Sequence, residues 1–283
     1  MTEILKGAPV AASIIEKAAR KTERLKEKGI VATLAVVRFG SREDDLAYER
    51  GIRKSAERAG ISVSLYEMPE NAEQREAEAL IARLNSCSEI HGILIFKPLP
   101  PGIDEKGLQS ILSPEKDIDG ITDAASASLY SGDGRYAIPC TARACIEMLR
   151  HYNIGISGKN AVVIGRSPVI GKPVSLLLLK ENATVTICHS KTESLSQICR
   201  GAAILIACSG KAEMITKEFM NEKQTIIDVG INFDMDGNMV GDVRFKDADG
   251  FVYAAAPVPG GVGTVTTAVL MDNLAEAAMR SAK

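Results

Sequence analysis

The segment Ala161–Pro173, AVVIGRSPVIGKP, limits the possible folds of this chain more than any other stretch. Its first four residues are apolar and predict a buried β-strand, and Gly165 follows where the backbone turns. Gly171, six residues later, lets a helix pack closely against that strand. A strand, a glycine turn and a helix N-terminus together point backbone N–H groups at an anion. The spacing G-x5-G differs from the dinucleotide fingerprint G-x-G-x-x-G, so a pyrophosphate site and an ordinary strand–helix turn are both open here.

Apolar and amphipathic stretches alternate on both sides of this segment. The alternation of strands and helices predicts parallel α/β sheets, and 283 residues are enough for two domains. An Asp236-Gly237 pair between two short runs predicts a hairpin turn rather than a calcium loop. The predicted strands are 31–37, 61–66, 90–96, 161–164, 183–188, 202–207 and 225–229, and the predicted helices include 10–28, 43–59, 72–85, 141–152 and 265–282.

Composition excludes several classes of function. A net charge of −2 argues against a nucleic-acid-binding protein. No apolar run is long enough to span a membrane, and the first residues do not resemble a signal peptide. Six cysteines without a C-x-x-C pair, beside only three histidines, indicate free thiols in a reducing cytoplasm rather than disulfides or a metal site.

The end of the second strand in the C-terminal half bears on the type of cofactor. An NAD-binding sheet carries an acidic residue there for the ribose hydroxyls. This chain instead reads Cys188-His189-Ser190-Lys191. A hydroxyl and a cation suit the 2′-phosphate of NADP, and Arg166 in the first turn adds a guanidinium with fork geometry. NADP is therefore favoured over NAD, although Lys191 is also compatible with a solvated surface charge.

Three residues of the N-terminal half are candidates for substrate contacts. Tyr48 lies on the helix after the first strand, and Lys97 lies at the carboxyl end of a strand, where open α/β sheets bind ligands. Asp119 lies in a loop with Asp117. Each has a structural alternative, because carboxylates commonly form turns and a lysine at a strand end is commonly solvated.

Several motifs, in collinear order over nearly the whole chain, resemble the bifunctional methylenetetrahydrofolate dehydrogenase/methenyltetrahydrofolate cyclohydrolase family. The least expected by chance is PVPGGVG at Pro257–Gly263. The others are KDIDG (Lys116–Gly120), PCTAR (Pro139–Arg143), GRSPVIGKP (Gly165–Pro173), IDVGIN (Ile227–Asn232) and GDV (Gly241–Val243).

The resemblance implies a two-domain α/β protein with a cleft between the domains. A catalytic, folate-binding domain would comprise residues 1–140 and 265–283, and a Rossmann-like NADP-binding domain would comprise 141–264. The family is commonly a homodimer through its cofactor domains. By resemblance Tyr48 lies against the folate ring system and Asp119 hydrogen-bonds the pterin. The remaining implied contacts are Pro259, Gly260 and Gly261 for folate, and Gly165, Arg166, Ser167, Ser190 and Ile231 for NADP.

The chain departs from the family pattern around Tyr48. The family motif Y-V-x-x-K-x-K-A places its catalytic lysine where this chain has Ile52. The glutamine that partners this lysine, in V-Q-L-P-L-P, is replaced by Phe96. Asp45 stands in place of a serine, and Thr264 in place of the proline after the glycine turn.

The departures affect the two family reactions differently. Oxidising methylenetetrahydrofolate moves a hydride and depends mainly on positioning. Hydrolysing the methenyl product requires activated water and general acid–base catalysis, which Ile52 cannot provide. The sequence thus predicts an NADP-dependent dehydrogenase with weak or absent cyclohydrolase activity. Two alternatives are a bifunctional enzyme in which Lys97 replaces the lost lysine, and a non-catalytic folate- or nucleotide-binding paralogue.

Overall fold

A computed structural model describes residues 1–282 of the chain, which divide into two compact units. We call Met1–Ala12 with Pro139–Thr266 the six-stranded unit, and Ser13–Ile138 with the chain from Thr267 the three-stranded unit. Both divisions fall inside long helices, the first and the last of the chain. None of the helices in the described part of the chain is long and apolar enough to span a bilayer.

The elements follow the predicted alternation of strands and helices. The strands are β1 (Glu3–Ile4), β2 (Thr33–Phe39), β3 (Ser62–Met68), β4 (Gly92–Ile95), β5 (Asn160–Ile164), β6 (Thr184–Cys188), β7 (Ile204–Ala207), β8 (Thr225–Asp228), β9 (Asn232–Phe233), β10 (Met239–Val240) and β11 (Ala254–Ala256). The helices are α1 (Gly7–Lys26), α2 (Glu43–Arg58), α3 (Gln74–Ser86), α4 (Glu105–Ile111), α5 (Asp123–Ser131), α6 (Cys140–His151), α7 (Gly171–Lys180), α8 (Leu195–Arg200), α9 (Phe245–Ala248) and α10 (Val262–Ser281), with a 3-10 turn at Lys217–Phe219.

The three-stranded unit has a parallel sheet in the order β3-β2-β4. Its central strand β2 is almost wholly buried, as expected for a continuous apolar run covered on both faces. Leu80, Ile81 and Leu84 of α3 pack in the core on one side of this sheet. Because all three strands run parallel, their carboxyl ends lie at one edge, where Phe96 follows β4.

The six-stranded unit has a parallel sheet in the order β1-β11-β8-β7-β5-β6. The strands β5, β7 and β8 in its middle are formed by short runs of buried aliphatic residues. Strands β9 and β10 form the predicted antiparallel hairpin, in which Asp234 Oδ1 accepts from the N–H groups of Asp236 and Asn238. The prediction of a Rossmann-like α/β unit is confirmed by this sheet.

The N-terminus differs from the predicted domain boundaries. Residues 1–12 lie in the six-stranded unit, whereas the expected catalytic domain began at residue 1. Strand β1 pairs in parallel with β11, and Thr2 Oγ1 donates to the carbonyl of Val252 at 2.8 Å. Strand β1 has two residues and β11 is three alanines, so neither has the length or the apolar alternation that identifies a strand in a sequence.

Candidate functional site

A cavity of about 390 Å³ lies in the six-stranded unit at the carboxyl ends of β8 and β11. Ligands of parallel α/β sheets bind at this edge. The cavity brings Ile231, a predicted NADP contact, together with Pro259, Gly260 and Gly261, the predicted folate contacts. Its other lining residues are Thr141, Ile170, Asp228, Val229, Gly230, Met239, Pro257, Val258, Val262, Gly263, Thr264 and Thr266.

The glycines of PVPGGVG form a turn that other residues would distort. Gly260 has φ +96°, a conformation that side chains disfavour. A Cβ on Gly261 would lie 2.4 Å from the carbonyl oxygen of Pro257. The N–H of Gly7, at the start of α1, donates to the carbonyl of Gly260 at 2.8 Å. Helix α10 begins directly after the turn, so its N-terminal end lies beside the cavity.

The turn between β5 and α7 has the close approach of a phosphate-binding turn. Gly165 has φ +140°, and a Cβ on it would lie 2.3 Å from the carbonyl oxygen of Cys208. A Cβ on Gly171 would lie 2.3 Å from the carbonyl oxygen of Gly165. The side chains of Arg166 and Ser167 are exposed at this turn, and Ser167 Oγ accepts from the N–H of Ile170 at 3.1 Å. The glycines therefore bring the N-terminus of α7 close to the strand end, which fits a bound pyrophosphate.

The loop after β6 presents a hydroxyl and a cation to solvent. Thr192 Oγ1 accepts from the N–H of His189 at 2.8 Å, and His189 Nδ1 accepts from the N–H of Lys191 at 3.2 Å. These bonds fold the loop back on itself and leave Ser190 and Lys191 exposed. Residues 188–192 contain no carboxylate, so this loop fits a 2′-phosphate better than it fits free ribose hydroxyls.

Two buried aspartates near the cavity were not among the predicted site residues. Asp228 ends β8 and accepts from the backbone N–H groups of Gly230, Asp242 and Val243. Asp242 is wholly buried. Burial raises the pKa of Asp228 to about 6 against the effect of these three donors, and the neighbouring Asp242 raises it further. In the sequence, the only signal was that each aspartate belongs to a short motif containing glycine.

In the three-stranded unit, an apolar wall surrounds the exposed ring of Tyr48. The rings of Tyr48 and Phe96 lie 5.1 Å apart between centroids, tilted by 42°. Ile52, one turn after Tyr48 on α2, is completely buried, and Phe96 is 4% exposed. Tyr48 itself is 44% exposed, so its ring is accessible to a ligand. The position that carries a lysine in the family motif therefore lies inside this wall as an aliphatic side chain.

The arginines next to this wall are held by carboxylates. Arg38 is 3% exposed, and its Nε lies 3.2 Å from Glu49 Oε2. Arg53 Nε lies 2.8 Å from the other oxygen of Glu49, and Arg38 Nη2 lies 2.8 Å from Glu67. The guanidinium groups thus fix α2 against β2 and β3. A guanidinium also stays protonated at neutral pH, which makes it a poor replacement for a catalytic lysine.

Lys97 is also engaged in an ion pair. Its Nζ lies 2.5 Å from Glu105 Oε1 in α4, and both side chains are partly exposed. The side chain follows β4 at the carboxyl edge of the sheet, as predicted. This contact favours the structural alternative for Lys97, an ion pair at a solvated strand end.

Asp117 builds the turn that presents Asp119. It is 2% exposed, and its carboxylate accepts from the N–H groups of Gly120, Ile121 and Thr122 at 2.8, 3.1 and 2.8 Å. Asp117 forms a parallel bridge with Ile93 of β4. Asp119, two residues farther along, lies toward the same sheet edge as Phe96.

We expect Asp117→Ala to lower the free energy of unfolding by about 1–3 kcal/mol, because three buried N–H groups lose their acceptor. Thermal or urea unfolding measures this change. The control is Glu115→Ala, which removes a neighbouring exposed carboxylate and should change stability by less than about 0.5 kcal/mol. Equal stability of the two variants would contradict the structural role of Asp117.

A larger cavity of about 890 Å³ lies elsewhere in the three-stranded unit, and no predicted site residue lines it. It is lined partly by Val31, Thr33 and His91, at the amino ends of β2 and β4. The ammonium of Lys116 there donates to two backbone carbonyls, those of Leu84 and Cys87. This cavity is therefore a weaker candidate than the site at the carboxyl edges of the sheets.

Comparisons with known proteins agree with the motifs. Residues 5–119 match the model of the tetrahydrofolate dehydrogenase/cyclohydrolase catalytic domain, and residues 139–282 match the model of its NAD(P)-binding domain. The chain is 44% identical over 279 residues to the bifunctional protein FolD of Carboxydothermus hydrogenoformans, covering 98% of this chain and 97% of that one. It is 46% identical over 277 residues to FolD of Alkaliphilus oremlandii, with the same coverage of 98% and 97%.

Solved structures give the same result. The bifunctional FolD of Campylobacter jejuni superposes with a TM-score of 0.95 at 35% identity, covering 99% of each chain. The FolD of Trypanosoma brucei, described as complexed with NADP cofactor and inhibitor, superposes with a TM-score of 0.92 at 33% identity, covering 100% of this chain and 99% of that one. The chain belongs to the tetrahydrofolate dehydrogenase/cyclohydrolase family.

Proposed function

We propose that this protein oxidises methylenetetrahydrofolate to methenyltetrahydrofolate with NADP, and that its cyclohydrolase activity is weak or absent. The observation that carries the second half is the wall around Tyr48, where Ile52 and Phe96 are buried hydrocarbon side chains. The relatives are named as bifunctional enzymes, so the dehydrogenase half follows the family and the loss of the hydrolase half is specific to this chain.

The six-stranded unit is the one we assign to NADP. The turn of Gly165, Arg166, Ser167 and Gly171 would hold the pyrophosphate, because its glycines allow the approach of a bulky anion. Ser190, with Arg166, would bind the 2′-phosphate through a hydroxyl and a guanidinium. The remaining predicted contact is the exposed side chain of Ile231 at the cavity.

Folate contacts are proposed in both units. The exposed ring of Tyr48 offers a face for stacking on the folate ring system, and Asp119 offers a carboxylate to the pterin. Pro259, Gly260 and Gly261 line the cavity and leave room for a planar group, since two of the three lack a side chain. We propose the three-stranded unit as the folate-binding domain on these grounds, and a homodimer as the oligomeric state on the family resemblance.

Hydride transfer needs little proton chemistry from this chain. When bound, NADP supplies the hydride acceptor. The residues named above have to hold two planar groups face to face and exclude water, which the apolar wall and the glycine turns are suited to do. Hydrolysis of the methenyl product differs, because a proton has to be moved at the attacking water. Neither Ile52 nor Phe96 carries an exchangeable proton.

The direct test mixes the protein with methylenetetrahydrofolate and either NADP or NAD. Reduced nucleotide and methenyltetrahydrofolate are followed separately. We expect reduced NADP and methenyl product to appear in equal amounts, with the methenyl product decaying at the rate of the buffer alone. Faster decay would support the bifunctional alternative. No reduction of either nucleotide would overturn the dehydrogenase proposal in favour of a non-catalytic binding protein.

The bifunctional alternative with Lys97 makes a separate prediction. If Lys97 performed the hydrolysis, Lys97→Met would abolish decay of the methenyl product above the buffer rate and spare nucleotide reduction. On our proposal, the parent and Lys97→Met both show only the buffer rate, because this ammonium is paired with Glu105. Glu105→Gln is the control that releases the lysine without removing it, and enzymatic hydrolysis in that variant alone would show that the ion pair suppresses Lys97.

A further inference from the structure

The carboxylate of Asp242 connects two loops at the proposed cofactor edge of the six-stranded unit. We propose that Asp242 is a positioning residue for NADP binding, which fixes the loop after β7 to the loop after β8 and thereby holds Ile231 at the cavity. This inference rests on the proposed use of NADP. Asp242 contacts neither the turn of Gly165 nor the loop of Ser190, so its role is distinct from the phosphate contacts.

Five donors from two loops converge on this carboxylate. Oδ2 accepts from the N–H and the hydroxyl of Ser209 and from the N–H of Gly210, the hydroxyl at 2.9 Å and Gly210 at 3.0 Å. Oδ1 accepts from the N–H of Lys211 and from Asn232 Nδ2, both at 3.0 Å. Ser209, Gly210 and Lys211 follow β7, and Asn232 follows β8. A carboxylate has about four lone-pair sites, so these donors use its whole capacity.

A second carboxylate anchors the segment that carries Asp242. Asp228, at the end of β8, accepts from the backbone N–H groups of Asp242 at 3.1 Å and Val243 at 2.9 Å. It also accepts from the N–H of Gly230 at 2.9 Å. The loop that contains Ile231 is therefore held on both sides, by Asp228 through Gly230 and by Asp242 through Asn232.

The packing around both carboxylates leaves no freedom. A Cβ on Gly230 would lie 2.2 Å from Asp242 Oδ1, and a Cβ on Gly241 would lie 1.8 Å from Asp228 Oδ2. Among the ion pairs of the described residues, none involves Asp228 or Asp242. Burying two carboxylates without a cation is unfavourable, and backbone donors alone offset it. An arrangement this unfavourable is expected where loop geometry matters, and both loops end at the edge where the sheet binds its ligand.

The test measures NADP binding directly, by titration calorimetry with NADP alone, together with steady-state kinetics. Asp242→Asn keeps the size of the side chain but turns an amide towards N–H donors. We expect the dissociation constant and the KM for NADP to rise on the order of tenfold, equivalent to about 1.4 kcal/mol. At saturating NADP, kcat should change by less than about threefold, because the residues that meet the substrates are unaltered.

Asn232→Ala is a second variant for the case in which Asp242→Asn fails to fold. It removes one donor to the carboxylate and leaves the carboxylate in place. A smaller rise in the KM for NADP is expected, of about three- to fivefold, with an unchanged KM for methylenetetrahydrofolate. The matched control is Asp236→Asn, an exposed aspartate at the tip of the same hairpin, which should leave both constants unchanged.

Three outcomes would contradict the proposal. Unchanged NADP affinity in Asp242→Asn and Asn232→Ala would show that the carboxylate does not position the cofactor loop. A fall in thermal stability with unaltered NADP constants would show a structural role only. Failure of the parent protein to bind NADP would overturn both this inference and the proposed function, whereas NADP binding without nucleotide reduction would overturn the proposed function alone.

Discussion

Replacing Ile52 by lysine and Phe96 by glutamine together is expected to raise the enzymatic hydrolysis of methenyltetrahydrofolate by about 10²-fold or more over the parent protein. The two substitutions restore the lysine and glutamine of the family motif on adjacent parts of one wall. Both positions face the interior, since Ile52 is fully buried and Phe96 is 4% exposed. A lysine there has a lowered pKa through desolvation, which is the state that proton transfer at neutral pH requires.

Each single variant should gain much less than the pair. Ile52→Lys alone buries an ammonium against the phenylalanine ring and leaves it without a hydrogen-bond acceptor, which lowers stability. Phe96→Gln alone supplies an amide with no group to orient. The control is Ile52→Met with Phe96→Gln, which has similar volume and no ionisable group. Decay of the methenyl product, measured in all four variants at several pH values, gives the coupling between the two positions.

The interpretation of the wall depends on this result. If the double variant hydrolyses no faster than the methionine control, loss of the lysine and glutamine does not by itself explain the lack of hydrolysis. Other differences, such as Asp45 in α2 or the ion pair of Arg38 with Glu49, would then have to contribute. Nucleotide reduction should persist in every variant, because hydride transfer does not use the restored groups.

The second large effect is expected for Gly171→Ala, which should weaken NADP binding on the order of 10²-fold and lower stability by about 1–3 kcal/mol. A Cβ at this position would lie 2.3 Å from the carbonyl oxygen of Gly165 and 2.8 Å from the backbone nitrogen of Arg166. Both neighbours are backbone atoms of the turn itself, so they cannot rotate away as a side chain would. Helix α7 therefore has to move, and the N–H groups at its start move with it.

Gly155→Ala is the matched control for this substitution. It lies in the same unit, before β5, and a Cβ there would meet no atom within 4 Å. We expect its unfolding midpoint and NADP affinity to equal those of the parent. Calorimetric titration with NADP and thermal unfolding measure both quantities. Normal NADP affinity in Gly171→Ala would contradict the assignment of this turn to the pyrophosphate.

The sequence was sufficient for elements that have a long periodic pattern. Strand β2 and helix α2 lie within two residues of their predicted ends, because continuous apolar runs and capped amphipathic stretches are local signals. The short elements β1, β11, α4 and α5 were not predicted. Strand β11 consists of three alanines and α4 of seven residues, so both depend on tertiary packing rather than on their own composition.

The site was predictable where a motif has a local geometric reason. Glycines that a turn requires, such as Gly165 and Gly260, are recognisable because their backbone angles exclude side chains. The carboxylate of Asp242 was not recognisable in this way, since its donors are 10 to 33 residues away along the chain. Lys97 shows the same limit, because only the structure reveals that Glu105, eight residues later, is its partner.

The two-residue strand β1 has a consequence for how the N-terminus tolerates change. It covers one side of β11, whose backbone would otherwise form the open edge of the sheet. An uncovered parallel edge with only alanine side chains is a template for pairing between molecules, and no charge or proline guards it. Proteolytic loss of the first four residues would therefore act on solubility before it acted on the chemistry.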